Sequence, residues 1–301
     1  MVSAACYITG GDSECGDMVS FFRRINDKIE YFQRCPNKPK YRKKGTESCP
    51  LPEGISHVKD SLRGLTGSDL ISFVAKDIRE HFVNTHRPFN FDMILIEDDA
   101  DFRFLDGSFE TKIKEYERTI RDVLKDTTGT NANIPIYFLY ASPELEIWFL
   151  ADWEHSFRDM YCAKMNRSLG MLYSNRLHKY IFDHFFPSLT HIEDYSHPDY
   201  CEKELAKLSK EIERAAQHIA IELNYELSKN GQNGRGIDDS VKLQYSKKFD
   251  GAKMLSQIVP QQVASKCSKY FSPVYEKIQA YGVSSHEGKI AFLRDNSRQE
   301  R

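Results

Sequence analysis

The chain has 301 residues, enough for one large domain or two modest ones. A hydrophobic share of 40% and a charged share of 29% are ordinary for a globular protein, and a net charge of −2 excludes a generic polyanion binder, so any nucleic-acid surface has to be a local patch. The opening Met-Val-Ser-Ala-Ala-Cys-Tyr-Ile-Thr-Gly-Gly carries no basic leader, and no window approaches the roughly 20 apolar residues of a membrane helix; the expectation is a cytoplasmic protein with no membrane contact.

The seven cysteines are odd in number and scattered, which reads as reduced thiols rather than a disulfide framework. Cys35, Cys49 and His57 surround a basic stretch, but no Cys-x-x-Cys or His-x-x-x-His pair sets a tetrahedral zinc site, so ordinary thiols are expected there.

In chain order, Ala4 to Thr9 reads as a strand stopped by Gly10-Gly11. Met18, Phe21, Phe22, Ile25, Ile29 and Phe32 recur at helical spacing, with Asp17 as the cap of that helix. Residues 35–57 break the periodicity with four prolines (36, 39, 50, 52) and the basic residues Lys38, Lys40, Arg42, Lys43 and Lys44. They read as an insertion loop, either simply solvated or touching phosphate with the help of Tyr41.

Leu70, Val74, Ile78 and Phe82 mark a helix capped by Ser68 or Asp69, and Phe91 to Ile96 the next strand. Ile113 to Leu124 is helical, Ile134 to Ala141 a third strand, and Ser142-Pro143 reads as cap and first turn of the helix that follows. Alternating strands and helices predict a parallel sheet covered on both faces. Beyond about residue 160 the pattern is mostly helical, with a long amphipathic helix at 202–229 whose two uses are burial within its own lobe and self-association into a homo-oligomer. The expected organisation is an α/β domain over 1–160 and a mostly helical accessory region over 161–301.

The strand at 91–96 runs into Glu97-Asp98-Asp99-Ala100-Asp101, four acids in five positions. Like charges so spaced raise one another's cost of ionisation, so either water or a bound cation has to balance them. In parallel α/β sheets the ligand site lies outside the carboxyl ends of the strands. Asp12 and Glu14 follow the first strand, the 97–101 cluster follows the second, and Glu144 and Glu146 follow the third, so all three groups are predicted on one edge.

Hard cations such as Mg²⁺ or Mn²⁺ take oxygen ligands of this kind. If the extended path continues, Asp99 and Asp101 share one side and Asp98 points elsewhere, capping or orienting. Glu14 or Asp12 would complete the site, and Glu146 would hold a second ion or its water. Such ions suit phosphodiester cleavage. Trp148, Phe149 and Trp153 read as core aromatics.

This order of motifs resembles the Toprim domain of topoisomerases, primases and OLD-type nucleases. Ser142-Pro-Glu-Leu-Glu-Ile-Trp-Phe-Leu-Ala-Asp152 is similar to the Glu-x-Trp-Leu-Leu-Ala-Asp signature of bacterial Toprim-like families of unknown function related to RloB, and Tyr245-Ser-Lys-Lys-Phe-Asp-Gly251 resembles their C-terminal Tyr-x-Lys…Gly element. The resemblance implies a Toprim-like fold, Asp99, Asp101 and Glu146 as metal ligands with Asp98 adjacent, and Glu14 as the second acid of the first strand's pattern. Only the resemblance points to Lys247 and Lys248 as cations steadying a phosphoryl transition state.

The pattern's leading Glu falls on Gly10, where Asp12 or Glu14 would have to substitute, and the doubled Asp98-Asp99 leaves the register of Asp-x-Asp open by one. The implied activity is a Mg²⁺- or Mn²⁺-dependent nuclease acting on DNA or RNA in bacterial antiviral defence, beside an ABC- or SMC-type ATPase. The other reading is a degenerate relative that binds and regulates such an ATPase.

Overall fold

A computed structural model describes residues 2–9, 14–34, 65–87, 89–101, 103–104, 107–128, 133–187, 189–195, 207–229 and 245–281, with the side chains of 14–16, 248 and 249 excepted. The basic 35–57 segment, the Cys35, Cys49 and His57 group, and Gly10 to Ser13 lie outside these residues.

Four strands, β1 (Val2–Ile8), β2 (Ile29–Arg34), β3 (Met93–Asp99) and β4 (Ile136–Ala141), form one wholly parallel sheet in the order β2-β1-β3-β4. Helix α1 (Glu14–Ile25) follows β1, α2 (Gly67–Thr85) precedes β3, and α3 (Phe109–Thr128) links β3 to β4. The α/β class with a parallel sheet flanked by helices is the one the alternating pattern predicts.

Period-two alternation divides the strands between two cores. Ala4, Cys6, Ile8, Met93, Leu95, Leu139 and Ala141 face α1, whereas Ala5, Tyr7, Ile94, Ile96, Phe138 and Tyr140 face α2 and α3.

Two local readings are corrected. The apolar period from Met18 does not run to Phe32: α1 starts at Glu14, ahead of Asp17, and stops at Ile25, and Ile29 begins β2. Along β2 burial alternates, with Ile29 and Tyr31 inside while Phe32 is 41% exposed and set edge-on to Phe91. Ile29 fits either period, so only pairing with β1, Val2 opposite Ile29, decides it.

Ser142-Pro143 does not open a helix. The Ser142 hydroxyl donates to the Glu193 carbonyl at 3.0 Å, and α4 (Glu146–Ala151) starts later with Leu145 at its N-cap.

A π-helical turn (Glu154–Arg158) leads from α4 into α5 (Asp159–Lys164) and α6 (Arg167–Phe185). A 3₁₀ turn (Ile192–Asp194) precedes α7 (Leu208–Lys229), and α8 (Lys247–Gln257), α9 (Pro260–Lys266) and α10 (Ser272–Ala280) follow. These helices have no separate core: Leu208, Ile212, Leu255, Val263, Phe271 and Ile278 join the cluster that covers the α1 face of the sheet. The long helix α7 uses its apolar stripe in this way, leaving Ile221 and Tyr225 exposed on the opposite side. Among the described residues no helix is long and apolar enough to cross a membrane.

Candidate active site at the carboxyl edge of the sheet

β3 carries the acids further into the sheet than the sequence suggests. Glu97 and Asp98 lie within the strand and are buried, paired with Ile8 of β1 on one side and with Leu139 and Tyr140 of β4 on the other. The Thr9 N–H and hydroxyl donate to the Glu97 carbonyl at 3.2 and 2.8 Å, extending β1 to the same edge. Alternation sends Glu97 and Asp99 to the α1 face and Asp98 to the α2 face.

On the α2 face Asp98 accepts the Gly67 N–H at 2.9 Å and pairs with the Arg103 guanidinium at 2.8 Å. It thus caps α2 from a distant strand, in place of Ser68 or Asp69; Thr66 is the N-cap residue and makes no side-chain cap bond. Gly67 sits at φ +56°, and the Arg103 guanidinium occupies the space where a Cβ would stand. Burial pushes Asp98 up to about 6, although Arg103 and the Gly67 N–H pull the other way. Asp98 thus points to the face opposite Asp99 and serves as the cap of α2.

The path does not stay extended to Asp101. The Ala100 N–H donates to the Ala141 carbonyl at 2.7 Å, and Asp101 turns into the left-handed region, φ 50°, with its N–H on the Pro143 carbonyl at 2.8 Å. Its charge acts on Arg103 and Asp98. The two β3 carboxylates that share a face are Glu97 and Asp99, not Asp99 and Asp101. The strand's own period would have selected Glu97, had the strand been read through to its end.

On the α1 face Lys247, the first residue of α8, brings the second region to the edge. Its ammonium lies 3.5 Å from Asp99 and 3.3 Å from Glu146. Glu146 is fully buried and accepts the Tyr245 hydroxyl at 2.6 Å. Neighbouring Glu144 is also buried; it accepts the Ser209 N–H at 3.2 Å and faces the Lys207 ammonium at 3.6 Å. Burial first, then Glu146, pushes the Glu144 carboxyl up, against Lys247 and Lys207. Tyr245, Glu146 and Lys247, which only a family resemblance linked, are in direct contact.

Glu14 opens α1 at this edge, but its side chain, like that of Lys248, lies outside the described ones. Trp148, Phe149 and Trp153 are core residues, Trp148 stacked on Phe21 at 5.4 Å.

The donors suit a hard cation in kind: carboxylates of Glu97, Asp99 and Glu146, delivered by two separate segments to one face. Among the described residues, however, no three acids are gathered closely enough to hold an ion. The positive charge between Asp99 and Glu146 is the Lys247 ammonium. Comparison with protein-family models, curated proteins and solved structures finds no match.

Proposed function

We propose that the protein is a Mg²⁺- or Mn²⁺-dependent nuclease that hydrolyses phosphodiester bonds of DNA or RNA. The observation that carries this reading is the meeting of Asp99, Glu146 and Lys247 at the carboxyl edge of a parallel sheet, from β3, α4 and α8. Asp99 and Glu146 would supply ligands to the ion, and Glu14, which opens α1 at the same edge, would have to complete the set. The ion would polarise a phosphoryl oxygen and lower the pKa of a water.

The chain's own groups do the rest. Tyr245 fixes the Glu146 carboxylate through a 2.6 Å hydrogen bond and keeps one of its oxygens oriented. Lys247 places positive charge where a phosphate would enter, and a charge held in a partly buried site is stronger than the same charge in water. A role in antiviral defence beside an ABC- or SMC-type ATPase rests on the family resemblance alone.

Calorimetric titration with Mg²⁺ and Mn²⁺, followed by incubation with DNA, tRNA and other RNA, tests the reading. Wild type is expected to bind and cleave, and Asp99→Ala to lose both while keeping its far-UV circular dichroism. Absence of binding and cleavage in wild type, with nucleic acid present, rejects it.

A second reading is favoured by one feature: Lys247 already balances Asp99 and Glu146, as a degenerate site would. The protein would then bind and regulate an ATPase without cutting. Co-purification with an ATPase whose rate changes, unaffected by Asp99→Ala, would select it.

A further inference from the structure

The carboxylate site takes Glu146 from the 142–152 segment and leaves Asp152, the last residue of that segment, without a role. Asp152 is 3% exposed and is held from two sides: it accepts the Val259 N–H at 2.7 Å, and His155 Nδ1 lies 2.9 Å away. Between them the backbone enters the π-helical turn, where the Arg158 N–H donates to the Trp153 carbonyl at 3.0 Å. The Ser156 hydroxyl donates to the Phe149 and Asp152 carbonyls at 2.6 and 2.7 Å, which fixes the widened turn. Such turns recur at functional sites. A buried carboxylate facing Nδ1 places the Nδ1 proton toward Asp152 and leaves Nε2 as the outward atom of the ring.

His155 lines a cleft of about 490 Å³ between the π turn, α6 and α9, a volume within the range of small-molecule sites. The other groups around it are Arg158, Asn175, His178, Gln262 and Lys266. Lys266 is exposed and makes no ion pair among the described residues. His178 is packed against Phe182 and Trp153, with ring centroids at 4.4 and 4.9 Å, and burial with nearby Lys266 holds it below the ordinary histidine value.

The acids of the wall are already committed, Asp152 to His155 and Val259, and Glu154 to Arg158 at 2.9 Å. What remains for a ligand is the Lys266 ammonium, the Asn175 and Gln262 amides and the Nε2 lone pair of His155, from three elements. A carboxylate has two oxygens to offer them, whereas a phosphate monoester has three strong acceptors on one atom.

We propose that this cleft binds a small phosphate monoester, its oxygens accepting from Lys266 and the Asn175 and Gln262 amides and its P–OH donating to His155 Nε2. The cleft shares no lining residue with the carboxylate edge, so this assignment stands apart from the nuclease reading.

The full chain, with ¹⁵N-labelled histidine, is titrated with inorganic phosphate and separately with adenosine monophosphate, the His155 signal being identified by its loss in His155→Gln. Saturable displacement of that signal is expected. Calorimetry is expected to show affinity falling by about tenfold or more in both Lys266→Ala and His155→Gln. Tighter binding of the mononucleotide than of phosphate supports a nucleotide ligand, and equal affinities support recognition of the phosphate head alone. No saturable displacement by either, or affinities unchanged in both variants, overturns the proposal. Lys266 is exposed, so its variant tests the site without disturbing the core.

Discussion

Asp98 shows how one buried carboxylate can serve the fold beside a candidate site. It neutralises Arg103 and caps α2, yet its removal from water outweighs both partners. Between the ordinary value of 3.8 and about 6 the folded chain holds a proton there that the unfolded chain has released. Its contribution to stability therefore falls as pH rises from about 4 to about 6 and is level above. Urea unfolding of wild type and Asp98→Asn across this range should show their stability difference shrinking with pH; a difference that grows would contradict the assignment.

Tyr245 is the second test at this scale. Tyr245→Phe leaves a buried Glu146 oxygen without its 2.6 Å donor and should cost about 1–3 kcal/mol by urea unfolding. On the metal-binding reading it should also lower Mg²⁺ affinity, through a less well oriented Glu146.

Between elements, the backbone of α6 comes close to that of α5 at Gly170. A Cβ there would stand 2.7 Å from Cys162 Cα and 2.8 Å from the Tyr161 carbonyl oxygen, both on α5. Neither neighbour is a flexible side-chain end, so Gly170→Ala should separate α5 from α6 at a cost of about 1–3 kcal/mol, read as a lower urea midpoint. An unchanged midpoint would mean that the two helices slide apart freely.

The turn at residues 192–194 works similarly. Buried Glu193 accepts the N–H groups of Lys269, Tyr270 and Phe271 at 2.6, 3.1 and 3.2 Å, tying the chain before α7 to the start of α10. Burial still pushes its carboxyl up against those three bonds.

Across the whole molecule, the accessory helices and the sheet are one packed body on the α1 side. Asn26, just after α1, donates to the Ile278 and Tyr281 carbonyls at 2.8 and 3.1 Å, and Arg24 donates to the Ile258 carbonyl at 2.6 Å. Phe21, Trp148 and Phe271, from the first helix, the middle of the chain and its last third, touch in one aromatic cluster. Unfolding should therefore be a single event. Tryptophan fluorescence, which reports Trp148 and Trp153 in the shared core, and far-UV circular dichroism should give coincident urea transitions; two separated transitions would show independent units.

The parallel α/β class was legible because near-continuous apolar strands and amphipathic helices of the right lengths can bury their surfaces in few other ways. That Asp99 and Glu146 share an edge followed from the same rule, while Asp12 lies outside the described residues. β2 was not legible, since Ile29 satisfies both periods and only a neighbouring strand distinguishes them. The helix start after Ser142-Pro143 was not legible: α4 begins only at Glu146, and the Ser142 hydroxyl donates instead to the Glu193 carbonyl, fifty-one residues away.

The sequence by itself determined which ionisable residues end the strands, because residue types travel with the chain. Only the tertiary structure decided which acids face which way. The end of β3 sets Glu97 with Asp99 and turns Asp101 aside, while Arg103 and Gly67 claim Asp98 and α8 lays Lys247 between Asp99 and Glu146. The direction of a side chain depends on where a strand stops and what packs against it, and neither is a local property of the residues concerned.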